Sequence, residues 1–160
     1  MVISMVPKIS TRIQLTILKP VKTVFAAALK PIPFFVAQAT APLKEGKTIQ
    51  WTFPEFSTPI DIKVLKVIPN RLIRFQWGGL IGLNTCEFAF ASPKTHNPKA
   101  KVKGSAVTLT ITESGWPDNK KGRKAANGNT MGWTHMACSL KAYLEYGVNL
   151  RKGAFPHYKF

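Results

Sequence analysis

From Gly132 to Leu150 the chain reads GWTHMACSLKAYLEYGVNL, and Trp133, Met136, Ala137, Leu140, Tyr143 and Leu144 recur in it at three- and four-residue spacing. That period marks a helix with one buried stripe. Thr134, Cys138, Lys141 and Glu145 fall on the opposite side. Asn129 or Thr130 is a natural N-cap. Gly147 is a natural left-handed stop, with Val148 able to pack back on Tyr143. The pattern predicts an amphipathic helix of about five turns, followed by a short tail over 148–160, and such a helix needs a broad apolar surface to lie on.

The preceding sequence supplies that surface as strands. Ile13, Leu15 and Ile17 alternate with Arg12, Gln14 and Thr16, the period-two pattern of a strand with one buried face. The alternation returns at Ile49, Trp51 and Phe53, at Ile60, Ile62 and Val64, and at Ile73, Phe75 and Trp77. It recurs at Cys86, Phe88 and Phe90 and again at Val107, Leu109 and Ile111. These are about six strands, the last five consecutive, with Pro69 and Asn70 marking a turn, which favours an antiparallel sheet. Between the first two strands, Pro20 starts a helix over Val21 to Lys30 with Val21, Val24, Phe25 and Ala28 on one face. Pro31 and Pro33 end it, and a second short helical turn is expected over Phe34 to Ala39. Two basic loops are expected at 93–104 and 116–129.

The fold expected is therefore α+β, with a curved antiparallel sheet wrapped around a long C-terminal helix and two short helices after strand one. A chain of 160 residues fits one domain over 1–160 with a real core. Hydrophobic residues make up 45% of the chain and charged ones 19%, a globular composition. No apolar run approaches the roughly 20 residues that cross a bilayer.

This order of elements resembles the helix-grip fold of the START/polyketide-cyclase (SRPBCC) superfamily, and within it the branch named for the activator of a heat-shock chaperone ATPase. The resemblance rests on GWTHMACSLKAYLEYGVNLRKGAF (Gly132 to Phe155), ITESGW (Ile111 to Trp116), VIPNRLIRFQW (Val67 to Trp77) and PVKTVFAA (Pro20 to Ala27). It implies a space between sheet and helix that holds an apolar small molecule. Trp51, Phe53, Phe75, Trp77, Phe88, Phe90, Trp133, Met136, Leu140 and Tyr143 are the candidate walls. The alternative for the same side chains is that they fill that space themselves. The branch name alone suggests stimulation of a chaperone ATPase, which fold does not fix.

The charge balance departs from this family pattern. Lys and Arg number 23 against 7 Asp and Glu, a net charge of +16, and residues 1 to 44 carry six cations and no acid. That excess fits attraction to a polyanion, with Lys94, Lys99, Lys101, Lys103, Lys120, Lys121, Arg123 and Lys124 as candidate contacts. It gives a second functional expectation, a basic accessory subunit of a large ribonucleoprotein or organellar complex such as a mitochondrial ribosome.

Acid-base catalysis needs titratable groups that converge, and the sequence does not offer them. His96, His135 and His157 are scattered, with His135 on the flank of the long helix; Glu113 ends a threonine-rich strand and reads as a turn or salt-bridge residue. Cys86 and Cys138 have no metal-binding spacing and sit on opposite faces, so neither a zinc site nor a disulfide is expected. The reading is a protein that is not an enzyme and carries no cofactor. A reducing compartment, cytoplasm or organellar matrix, follows from the cysteines. The N-terminal MVISMVPKISTRIQL lacks the apolar core and cleavage site of a secretory signal, although the stretch has something of transit-peptide composition.

Overall fold

A computed structural model describes residues 8–56, 58–79, 82–94 and 105–155. The elements are β1 (Lys8–Ile17), α1 (Val21–Leu29), β2 (Gln38–Ala39), β3 (Thr48–Thr52), β4 (Ile60–Ile68), β5 (Leu72–Gly79), β6 (Gly82–Ala91), β7 (Val107–Pro117) and α2 (Lys120–Tyr146). They form one antiparallel sheet in the order β1-β7-β6-β5-β4-β3-β2. The meander from β3 to β7 pairs neighbour with neighbour, and β1 closes on β7 with Ile13 opposite Ile111 and Leu15 opposite Leu109. Alternation puts Trp51, Ile62, Phe75, Cys86, Phe88, Leu109 and Ile111 on one buried face. Trp133, Met136, Ala137 and Leu140 of α2 meet that face, as the helical stripe requires. Burying side chains of this size stabilises by roughly 1.5–3 kcal/mol each relative to leaving them exposed.

The helix is longer than its apolar stripe. It runs 27 residues, about 40 Å, and absorbs most of the basic loop expected at 116–129. Its N-cap is Asn119, whose Oδ1 accepts from the Gly122 N–H at 2.9 Å. Thr130 lies inside the helix, its hydroxyl donating to the Ala126 carbonyl at 2.7 Å, and the Asn129 side chain is engaged elsewhere. The first turns carry only Gly122 and Ala126 as buried residues, so no row of large apolar side chains announces them. At the other end the expected stop holds: Gly147 has φ 68°, its N–H donates to Tyr143, and the Val148 N–H donates to Ala142.

Only one true helix lies between β1 and β2. The second is a single turn in which the N–H groups of Phe35 and Val36 both donate to the Pro31 carbonyl. The chain then enters β2, a two-residue strand that sequence alternation is too short to reveal.

Candidate functional site

Nine of the ten expected wall residues belong to the core between sheet and helices. Trp51 stacks edge-on against Phe75 at 5.4 Å, Phe75 against Phe88 at 5.5 Å and Phe88 against Trp133 at 5.5 Å. Trp77 lies 5.2 Å from Trp133, and Phe53 6.2 Å from Trp77. Met136 and Leu140 are fully buried beside them. Phe35, which the sequence did not single out, is central: its ring sits 5.1 Å from Phe53, 5.4 Å from Trp133 and 6.0 Å from Trp51. Rings at these separations are in contact.

Phe90, the ninth, packs into the core beside α1, and Tyr143 stands apart from it. Phe90 pairs with Phe25 at 5.2 Å and lines an open depression of about 520 Å³ with Pro20, Val21, Asn70 and Val107. Tyr143 packs on Phe34 at 5.6 Å and is 37% exposed. Within the aromatic interior, the Trp51 indole Nε1 is buried and has no hydrogen-bond partner among the described residues.

At the β5–β6 end of the interior lies Glu113, fully buried. The indole N–H groups of Trp77 and Trp133 donate to its carboxylate at 2.8 and 2.5 Å. The side-chain amide of Asn84 donates at 2.9 Å, and that of Asn129 reaches both oxygens at 3.1 and 3.0 Å. These bonds tie β5, β6, β7 and α2 at one point. Glu113 joins no ion pair among the described residues, so the salt-bridge role expected for it is replaced by bonds to neutral donors.

Gly115 makes this arrangement possible. The register of β1 against β7 shifts between Ile9 and Ser10, leaving Gly115 as the extra residue, so that both Glu113 and Trp116 point inward. Gly115 has φ +133°, and a Cβ there would lie 2.7 Å from the Asn84 side chain. Cys86 is the β6 partner of Glu113; burial, then the nearby carboxylate, raises its thiol well above the ordinary range. A thiol so held is a small buried core residue rather than a nucleophile.

A second buried polar cluster, which no sequence pattern announces, closes the Phe35 end. Arg151 is only 8% exposed; its Nη2 donates to Glu55 at 2.5 Å and its Nε to the Phe35 carbonyl at 3.1 Å. The guanidinium lies 5.9 Å from the Phe35 ring and 5.0 Å from the Phe155 ring. His135, on the α2 flank as expected, sits 4.9 Å from the Phe155 ring, with its Nε2 3.3 Å from the Ser139 hydroxyl. Burial and then the Arg151 charge lower the His135 pKa, against an opposing pull from Glu55.

Of the expected cationic contacts, Lys120, Lys121, Arg123 and Lys124 are exposed on the first turns of α2, with Arg123 paired to Asp118 at 2.7 Å. No acid occupies the first helical turn. Lys94 is exposed beyond β6. Lys99, Lys101, Lys103, His96 and His157 lie outside the described residues. Among the described residues both cysteines are free, Cys86 buried and Cys138 exposed, and no group of His, Cys, Asp or Glu is arranged to hold a metal. No described helix is long and apolar enough to cross a membrane.

Comparison with solved structures places this geometry in a known fold. Protein SSP2350 from Staphylococcus saprophyticus superposes with a TM-score of 0.71 at 26% identity, covering 89% of this chain and 96% of that one. DynU16, from the dynemicin biosynthetic locus, gives 0.70 at 22% identity over 88% of this chain, which spans 48% of DynU16. The Aha1 dimer from Colwellia psychrerythraea gives 0.69 at 18% identity, covering 87% and 98%. The fold is the helix-grip one. No protein-family model matches the chain, nor does the sequence of any curated protein.

Proposed function

We propose that this helix-grip chain is a non-catalytic binding protein that takes an apolar small molecule between its sheet and α2, next to Trp51. We assign it to the chaperone-activator-like branch on the Gly132 to Phe155 segment. The observation that carries the binding reading is the unpaired Trp51 N–H in an otherwise aromatic interior. A buried donor without a partner destabilises by about 1–3 kcal/mol, and native proteins keep few of them. A ligand with an apolar body and one carbonyl, ether or hydroxyl oxygen would satisfy it. Entry requires the rings about Phe35 and Trp51 to move apart.

Native mass spectrometry of gently purified protein tests this reading. A small-molecule adduct is expected on the wild type, weakened about tenfold by Trp51→Phe, which keeps the ring but removes the donor. Protein that never carries an adduct, together with an unaltered Trp51→Phe spectrum, would sink it.

A second reading keeps the basic surface in view as a contact for RNA or an organellar complex. It is supported by the start of α2 at Lys120, which sets Lys120, Lys121, Arg123 and Lys124 at the positive end of the helix dipole without an acid in the first turn. Cations are unfavourable there, and a bound polyanion would reverse that balance. Binding of a generic RNA that does not weaken between low and physiological salt would contradict this reading.

A further inference from the structure

The segment after α2 has an unusual balance of attachments. Val148 and Leu150 leave 47% and 44% of their surface exposed, so the apolar residues that open it hold little. What it buries is Arg151, through Glu55 in the β3–β4 connection and the carbonyl of Phe35 in the connection between α1 and β2. Asn149 shapes the approach, its Oδ1 accepting from the N–H groups of Arg151 and Lys152. Phe155 then covers the outer side of the guanidinium and reaches His135. The ring beneath this latch is Phe35, which touches Trp51, Phe53 and Trp133.

A buried ion pair is suited to a closure that opens. Desolvation offsets most of its attraction, so returning both charges to water together costs far less than removing one partner and stranding the other. Segments held by few buried apolar contacts also open locally, below the free energy of global unfolding. We infer that Asn149 to Phe155 form a lid over the Phe35 end of the aromatic interior, with the Arg151–Glu55 pair as its latch. Such a lid is the way in for the ligand proposed above; its purpose rests on that binding reading, whereas its opening can be measured without it.

Backbone hydrogen exchange on ligand-free protein is the test. The reporters are the N–H groups of Phe35 and Val36, bonded to the Pro31 carbonyl, and of Ala154, bonded to Arg151. Glu55→Gln, which keeps the shape of the acceptor and removes its charge, is expected to speed exchange at these sites by about tenfold or more, leaving β6, β7 and the middle of α2 unchanged. Arg151→Met is expected to do the same more strongly, and acrylamide quenching of tryptophan fluorescence should rise with it. Unchanged exchange at the three reporters in Glu55→Gln overturns the lid. So does a uniform loss of protection across the sheet, because Arg151 would then be a keystone of the whole fold. Neither result depends on a ligand, so the lid and the binding reading can fail separately.

Discussion

The Trp133 indole N–H donates to Oε2 of Glu113 at 2.5 Å, joining the apolar stripe of the closing helix to a carboxylate at the far end of β7. Three further side chains donate to the same group. Replacing Glu113 with Leu therefore strands the N–H groups of Trp77, Asn84, Asn129 and Trp133 in the interior. At about 1–3 kcal/mol for each buried donor left unmade, the expected loss is at least ~3 kcal/mol, read as a fall in the denaturant midpoint. Glu113→Gln should be milder, because it keeps one acceptor oxygen. Equal stability of Glu113→Leu and wild type would show that these donors find other partners.

Trp133 and Cys138 test the helix register. Trp133 is buried among Phe35, Phe75, Trp77 and Phe88, whereas Cys138 is exposed on the opposite face. Trp133→Ala should lose about 3–5 kcal/mol and Leu140→Ala about 2–5. Cys138→Ala should stay within about 0.5 kcal/mol. Chemical denaturation of the three variants separates these expectations.

Backbone constraints give a third test. A Cβ on Gly115 meets the Asn84 side chain at 2.7 Å and the Leu83 carbonyl at 2.9 Å, in a conformation that L-residues rarely adopt. A Cβ on Gly122 would lie 1.9 Å from the Pro117 carbonyl. Gly115→Ala and Gly122→Ala should each destabilise by more than about 1 kcal/mol, while Gly128→Ala, with open space around it, should be neutral or stabilising. Thermal melts of the three proteins check the order.

The same sites divide what is legible in the sequence from what is not. Strand alternation is local, so Trp51, Phe75, Phe88 and Ile111 are legible as one face, and the three-and-four spacing from Trp133 to Leu144 identifies the closing helix. The first ten residues of that helix are not legible, because they bury only Gly122 and Ala126. Glu113 stands out as a carboxylate at a strand end, but its partners do not, since Trp77 and Asn129 are brought to it by the register of β5 and by a helix turn beyond the apparent cap. Arg151 and Glu55 are 96 positions apart, and no periodicity links a tail residue to a loop carboxylate.

The His135 environment sets a pH dependence. Its pKa is lowered, first by burial and then by Arg151, and the Glu55 carboxylate only partly opposes this. The folded protein therefore accepts a proton at His135 less readily than the unfolded chain, whose histidines titrate near about 6.5. Above that pH the residue is neutral in both states and has no effect. As pH falls through about 6.5 and then through the lower folded value, the unfolded state binds the proton first and stability declines. Denaturant midpoints from about pH 8 down to about pH 5 should fall for the wild type and fall less for His135→Gln.

If the basic start of α2 holds a polyanion, stability and binding should respond in opposite directions to a change of its charge. Lys120, Lys121 and Lys124 lie where the helix dipole is positive, with no acid in the first turn, and Asp118, just outside the helix, is paired with Arg123. Replacing Lys120 and Lys121 with Glu removes that conflict and should stabilise the fold by a few tenths of a kcal/mol per site at low ionic strength. If the same lysines bind a polyanion, the double variant should hold RNA more weakly, and the slope of log affinity against log salt should become shallower by about one for each phosphate no longer neutralised. Substitution of Lys44 and Lys47, in the connection before β3, is the control for net charge alone. Equal weakening by the two double variants would mean that the +16 charge acts diffusely, and a selective effect at Lys120 and Lys121 would locate the RNA-binding surface at the start of α2.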